Sequence, residues 1–428
     1  MIYDLRVEKS ARPADWIIQS LKQLADVVGG GTPETSVPEY WNPPEIPWVT
    51  PTDITACREP ILTRTERAIS QSGLRESSAT LLPVGTTLLT SRATVGECRL
   101  AGVPLATNQG FASLVPKEGT DSRFLFYLAQ TLRPVFVRLA AGTTFIEVSR
   151  REVRRINACV PSEPKERVAI GQILTAADEA LSRARARLTA AARLKTALMQ
   201  QIFTSGIPGR HTLFKQTKIG QIPECWQVAT IGSVLDGTAF NGVSPQSRPE
   251  PPGTPILNVE CIDDGMCTTK NVSYVDVDEQ TLEECRARKG DFYVLRGNGN
   301  RDYVATGGLL AEEPGVQTIF SDKLIRLRFK PSQVAERFIP YLWQSPAFLR
   351  RIQSKAESGS GLWMIGKRDI RRELFARPPA MSEQEEIVGL IDSAIQTIAA
   401  CEAEVSALDR LKRSLLQILI TGRVRVRT

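Results

Sequence analysis

Residues 148–155 read V-S-R-R-E-V-R-R and residues 365–372 read I-G-K-R-D-I-R-R. The same pattern of apolar, small, basic, Arg, acidic, apolar, Arg, Arg is written twice, 217 residues apart. A chain that repeats a unit this long folds it twice, which restricts its architecture more than composition does. From Gly142, which meets Gly359, the match holds without a gap. Arg151 meets Arg368, Pro161 meets Pro378, Glu166 meets Glu383, Ile170 meets Ile387 and Gln200 meets Gln417. Upstream the match loosens and its offset drifts, as insertions in loops would make it. Phe124-Leu125-Phe126-Tyr127-Leu128 resembles Phe338-Ile339-Pro340-Tyr341-Leu342, and Trp16 has a counterpart in Trp226. The chain is thus two copies of one unit, each with a variable front and a well-matched back.

The backs predict helices. Leu174, Ala177, Leu181, Ala184, Leu188, Ala191, Lys195, Leu198 and Ile202 follow 3-4 spacing. Ile391, Ala394, Ile398, Cys401, Val405, Leu408, Lys412, Leu415 and Leu419 repeat it position for position. This is an a/d seam over about four heptads, in helices of about 40 residues and roughly 60 Å. The expected arrangement is one helix against the other, antiparallel, with Leu174, Leu181, Leu188, Leu198, Ile398, Val405, Leu408 and Leu415 as pairing residues. Lys195 and Lys412 interrupt the two seams at one equivalent position, where they either fix register or reach out to water. The fronts, with short apolar runs broken by Gly, Pro, Asn and Asp, predict β structure with loops and short helices such as Phe124 to Leu132. The fold class is α+β. S-R-P-E-P-P-G-T-P in the second front reads as an exposed turn segment.

A chain of 428 residues exceeds one ordinary core, and a net charge of +7 suggests an anionic partner. Residues 150–210 hold twelve basic and five acidic residues, a local balance of +7. The opening M-I-Y-D-L-R-V-E-K-S lacks the apolar core of a secretory leader. No apolar run suits a membrane span. The eight scattered cysteines read as free thiols in a reducing cytoplasm. His211, the only histidine, reads as a solvated loop residue.

Enzymatic signatures are missing. There is no Walker-type phosphate loop and no dinucleotide-binding glycine motif. Asn42-Pro43-Pro44, which suggests the N-P-P of adenine methyltransferases, is followed by Glu45 and reads as a turn. No catalytic and no metal-binding residues are assigned. The front loops instead carry side chains suited to bases and phosphates: Thr90, Ser91, Arg92, Thr94, Asn108, Gln109, Thr143, Thr144, Arg150 and Arg151 in the first half. The second half offers Arg296, Asn298, Asn300, Arg301, Ser360, Trp363, Lys367 and Arg368. Arg reads guanine and Asn adenine, while hydroxyls suit phosphate. Arg154-Arg155 and Arg371-Arg372 are expected to face phosphate or a partner's acids.

This constellation resembles the specificity (S) subunit of type I restriction-modification enzymes. The phrases L-A-D-V-V-G-G-G-T-P, P-W-V-T-P-T-D-I, G-T-T-F-I-E-V-S, K-I-G-Q-I-P-E-C-W and L-L-Q-I-L-I-T-G-R-V-R-V carry the resemblance over nearly the whole chain. G-S-G-L-W-M-I-G in the second half departs from the G-T-T-x-I pattern. The resemblance implies target recognition domains at 1–160 and 207–377, with helical spacer regions at 161–206 and 378–428. The spacer helices would form an antiparallel coiled coil with pseudo-twofold symmetry. It also implies a non-catalytic subunit that recognises a bipartite target in double-stranded DNA. Two modification (methyltransferase) subunits and the ATP-dependent restriction subunits would be its partners, in the cytoplasm and away from membranes. S-adenosylmethionine, ATP and Mg would belong to those partners, and this chain would bind no cofactor. The alternatives are a stand-alone restriction endonuclease or DNA methyltransferase with a fused recognition module, or a coiled-coil scaffold without a DNA role.

Overall fold

The computed structural model describes residues 13–140, 146–359 and 361–426. The chain forms two compact units, Met1–Arg187 with Cys401–Thr428, and Leu188–Ala400. Each unit therefore takes part of both long helices, and the unit boundaries fall inside the helices rather than at their starts.

The first long helix spans Pro164–Ser205 and the second Met381–Ile420. Every a/d position named from the sequence is buried or half-buried in both helices. In the first unit, charges flanking the seam pair across it. Arg185 lies 3.9 Å from Asp409, Arg187 contacts Glu404, and Lys412 lies 2.5 Å from Asp178. Higher numbers on one helix meet lower numbers on the other, so the segments run antiparallel. In the second unit Met199, Ile202 and Phe203 share a core with Ile387 and Ile391. Both helices end on a glycine in the left-handed region, Gly206 at φ 77° and Gly422 at φ 73°. There a side chain would be strained.

In the first unit a five-stranded sheet has the order Ala25–Gly29, Ala112–Pro116, Thr87–Leu89, Cys98–Ala101 and Ile61–Leu62. A three-stranded sheet, Arg67–Ile69, Ile46–Val49 and Ala106–Thr107, stands beside it. The helix expected over Phe124 to Leu132 runs over Ser122–Ala140 and contains Pro134. It continues because Val135, Phe136 and Leu139 keep an apolar face in the core, which outweighs one lost hydrogen bond. Asp121 caps its start, accepting from Phe124 N at 2.8 Å.

The second unit repeats this plan with a six-stranded sheet, Phe240–Asn241, Leu324–Leu327, Phe292–Leu295, Gly307–Leu309, Met266–Cys267 and Ile262–Asp263. Beside it stands a three-stranded sheet of Ser273–Val275, Thr254–Leu257 and Ile319–Phe320. Each front is tied off by a two-stranded ladder, Trp16–Ser20 with Asn157–Pro161 and Gln227–Thr230 with Leu374–Arg377. Trp16 and Trp226 are buried beside these ladders. The second unit adds a ribbon of Gly297–Asn298, Leu362–Met364 and Glu357–Gly359. No such ribbon occurs in the first unit among the described residues.

His211 is not solvated. Its side chain is 6% exposed and its ring packs edge-on against Trp226, because the turn after Gly206 folds back onto the helix end. Asn42 and Pro43 lie in a bend that follows Trp41.

Candidate nucleic-acid interface

The repeated cassette forms a short helix in each unit, Arg150–Arg155 and Lys367–Arg372. Ser149 starts the first one with a capping box, accepting from Glu152 N at 3.2 Å while Glu152 accepts from Ser149 N at 3.0 Å. Val148, Val153, Ile365 and Ile370 are all buried and anchor these helices. Arg150, Arg151, Lys367 and Arg368 are left exposed at the helix starts. Arg154 is exposed, and its Nη2 donates to the Val27 carbonyl at 2.9 Å, which ties the helix to the sheet.

In the first unit three loops converge with this helix start. Val148 N donates to Ser91 O, and Ser91 N donates to Gly110 O at 2.8 Å. Gly31 N donates to Thr107 O at 2.9 Å. Gly30 has no room for a side chain, since a Cβ would stand 2.1 Å from the Thr107 and Asn108 carbonyls. These links gather Arg92, Thr94, Gln109, Arg150 and Arg151, all exposed, on one loop cluster. Arg92 Nε lies 2.9 Å from Glu147 with its side chain half exposed, so an arriving phosphate would compete with that carboxylate. Asn108 is half-buried, and its Oδ1 accepts from Gly110 N at 2.9 Å, which leaves its amide nitrogen as the free end.

Two first-unit candidates are corrected. Thr90 and Ser91 are buried, and the Thr90 hydroxyl donates within its own loop, 2.6 Å from Thr94 O. They shape the loop instead of meeting a ligand, because the strand Thr87–Leu89 carries them into the sheet. Thr143, Thr144 and Ser360 lie outside the described residues. Sequence reading missed Thr32, which is exposed and donates to Gln109 Oε1. It also missed Trp48, whose Nε1 holds the Gly31 carbonyl at 3.0 Å, and Arg67, stacked 3.8 Å over the Trp41 ring. The G-G-G-T phrase at Gly29–Thr32 was the available signal, since three successive glycines mark a close backbone approach.

In the second unit the ribbon brings the candidates together. Asn298 faces Trp363 across the ladder, and Ile365 N donates to Arg296 O at 2.8 Å. Arg301 stacks on Trp363, with its guanidinium carbon 4.7 Å from the ring centre. Asn300 caps the turn Arg301–Tyr303, accepting from Asp302 N at 3.0 Å, and Asn298 Oδ1 accepts from Asn300 N at 2.9 Å. Tyr303, Leu362 and Met364 are exposed around this ribbon and were also missed. The two loop clusters thus differ: a glycine-backed patch in one unit and a β-ribbon with an Arg–Trp stack in the other.

The basic run of residues 150–210 is less free than its sequence implies. Arg183 pairs with Glu179 on its own helix, and Arg185 and Arg187 meet acids of the second helix. Arg150 and Arg151 stay exposed at the loop cluster, where a polyanion would be met, while Arg193 and Lys195 remain on the long helix.

Residues 13–189 match the family described as type I restriction modification DNA specificity domain. The chain is 31% identical over 227 residues to the type I restriction enzyme MjaIX specificity subunit of Methanocaldococcus jannaschii. That match covers 52% of each protein, so the chain spans about half the length of this curated relative. Two solved chains resemble it over nearly their full length. One was solved in work on complex assembly and conformational transition of the type I R-M system (18% identity, TM-score 0.60, 96% of this chain and 99% of that one). The other is the HsdS subunit from Thermoanaerobacter tengcongensis (17% identity, TM-score 0.53, 96% and 98%). At these identities the likeness is one of fold.

Proposed function

We propose, for a chain whose residues 13–189 match the type I restriction modification DNA specificity domain, that it is the sequence-reading subunit of a type I restriction-modification enzyme. The observation that supports this most is the duplicated build, in which each unit joins one cluster of polar loops to one antiparallel helix pair. On this reading the target is double-stranded DNA with two half-sites, one for each loop cluster. The long helices set the spacer and receive two modification (methyltransferase) subunits, to which the restriction subunits add. Chemistry belongs to those partners, with their S-adenosylmethionine, ATP and Mg, and this chain contributes recognition alone. The complex would work in the cytoplasm. Among the described residues no helix is long and apolar enough to cross a membrane.

The chemical logic is a division of labour between contacts. Arg92, Arg150, Lys367 and Arg368 supply charge for phosphates and set position on the duplex. Gln109, Asn108, Asn298 and Arg301 supply donors and acceptors that distinguish base edges in the major groove. A two-stranded ribbon such as Leu362–Met364 with Glu357–Gly359 has the width of that groove.

The test exchanges residues 1–160 for the recognition domain of another such chain, in cells that also supply the modification subunit. Methylated adenines are then mapped across the genome. One half of the methylated sequence should change while the other half stays. If both halves stay, or both change, this reading is wrong.

A further inference from the structure

The repeat fastens each unit by the same device, with different chemistry. In the first unit Arg425, from the segment after the second helix, reaches the buried Glu166 at 2.7 and 2.9 Å. In the second unit the counterpart of Glu166 is Glu383, and the segment after the first helix brings Arg210 and His211 to it. An imidazole there replaces the guanidinium, and an imidazole has a second nitrogen. His211 Nε2 lies 2.9 Å from Glu383 Oε1, off the straight hydrogen-bond line, and Trp226 Nε1 donates to that same oxygen at 2.8 Å. On the other side His211 Nδ1 lies 3.7 Å from the Cys225 sulfur. The His211 side chain is 6% exposed and Glu383 8%. Cys225 itself is exposed, whereas Cys57 and Cys401 are half-buried and the other five cysteines are buried.

We propose that Cys225, His211 and Glu383 form a thiol-modification site that takes low-molecular-weight disulfides. The order is that of an activated nucleophile: thiol, base, and a carboxylate that orients the base. Glu383, held by Trp226, fixes the ring so that Nδ1 faces the sulfur and stabilises the imidazolium once formed. In the step, His211 Nδ1 takes the Cys225 proton as the sulfur attacks one sulfur of the incoming disulfide. A new S–S bond forms on Cys225, the old S–S bond breaks, and the released thiolate takes the proton back from His211. One thiol and one disulfide are consumed and one of each is produced, so no further oxidant enters. The buried imidazole and the open thiol divide the two requirements, a shielded base and an accessible nucleophile.

The test treats the purified full chain with glutathione disulfide and follows each cysteine by mass spectrometry. Cys225 should be modified at least about tenfold faster than Cys57 or Cys401. His211→Phe keeps a ring against Trp226 but removes Nδ1, and should bring Cys225 down to the rate of Cys57. Glu383→Gln keeps an acceptor for Trp226 and should slow Cys225 as well, by a smaller factor. The proposal is overturned if Cys225 reacts no faster than Cys57 and Cys401, or if neither variant slows it. Should circular dichroism show His211→Phe unfolded, Glu383→Gln decides alone.

Discussion

Lys412 Nζ lies 2.5 Å from Asp178 Oδ1, across the seam of the first unit. The other oxygen of Asp178 accepts from the Tyr127 hydroxyl at 2.7 Å, on the helix Ser122–Ala140. One buried carboxylate thus joins both long helices to the front of this unit. The second unit solves the same problem one turn away, where Tyr341 donates to Asp392 and Arg337 pairs with it at 2.7 Å. The position equivalent to Asp178 is Ile395, so Lys195 lacks the acid that Lys412 has. Of the two roles open to the seam lysines, Lys412 takes the one that fixes register.

Lys412→Met strands a buried carboxylate, so it should destabilise the fold by about 3 kcal/mol. Lys195→Met should cost under about 0.5 kcal/mol, as a half-exposed site with no such acid at the equivalent position. Chemical denaturation of the two variants checks this, and equal losses would contradict the role given to Asp178.

Alkaline stability should depend on Tyr127 and Tyr341. Burial first, then the hydrogen bond to an aspartate, holds both phenols well above the usual tyrosine range. The folded state therefore keeps protons that the unfolded state releases. The contribution is whole below about pH 10 and falls as pH rises beyond it, by about 1.4 kcal/mol per pH unit for each group. In Tyr127→Phe that slope should be shallower by one group's share, measured by urea unfolding from about half a unit below the onset to about one unit above it.

DNA binding by the complex should respond to charge at the first loop cluster. Arg92→Ala and Arg150→Ala should each reduce the salt dependence by about one unit of log–log slope, with sequence preference unchanged. Glu147→Gln should tighten binding, because it frees Arg92 from its 2.9 Å partner. A titration of duplex at several salt concentrations would show the opposite signs.

Trp363→Ala should act on one half-site only. It removes the face on which Arg301 stacks and so loosens a donor fork at the ribbon. Discrimination at bases read there should fall by about 1–3 kcal/mol. Methylation mapping would reveal the relaxed positions, and relaxation in both halves would refute the assignment.

The cassette that opens the repeat was legible as a pair of anchors, since Val148, Val153, Ile365 and Ile370 needed only local periodicity to be placed. The candidates around it were only partly legible. Arg92, Gln109 and Arg150 come together through backbone bonds among distant segments, and no spacing in the sequence records those bonds. Thr90 and Ser91 look like their exposed neighbours in composition, yet strand pairing turns them inward.

By itself the sequence determined that this chain has two like units and two long seams, because heptad spacing and a fixed offset are properties of neighbours along the chain. Only the tertiary structure decided which charges the seams consume. Arg185 and Arg187 look free for a polyanion until Asp409 and Glu404 are laid beside them. It alone turned His211 from a loop residue into a buried base between Cys225 and Glu383. The acids beside Arg185, Arg187 and His211 come from segments more than a hundred residues away, and such contacts leave no trace in local pattern.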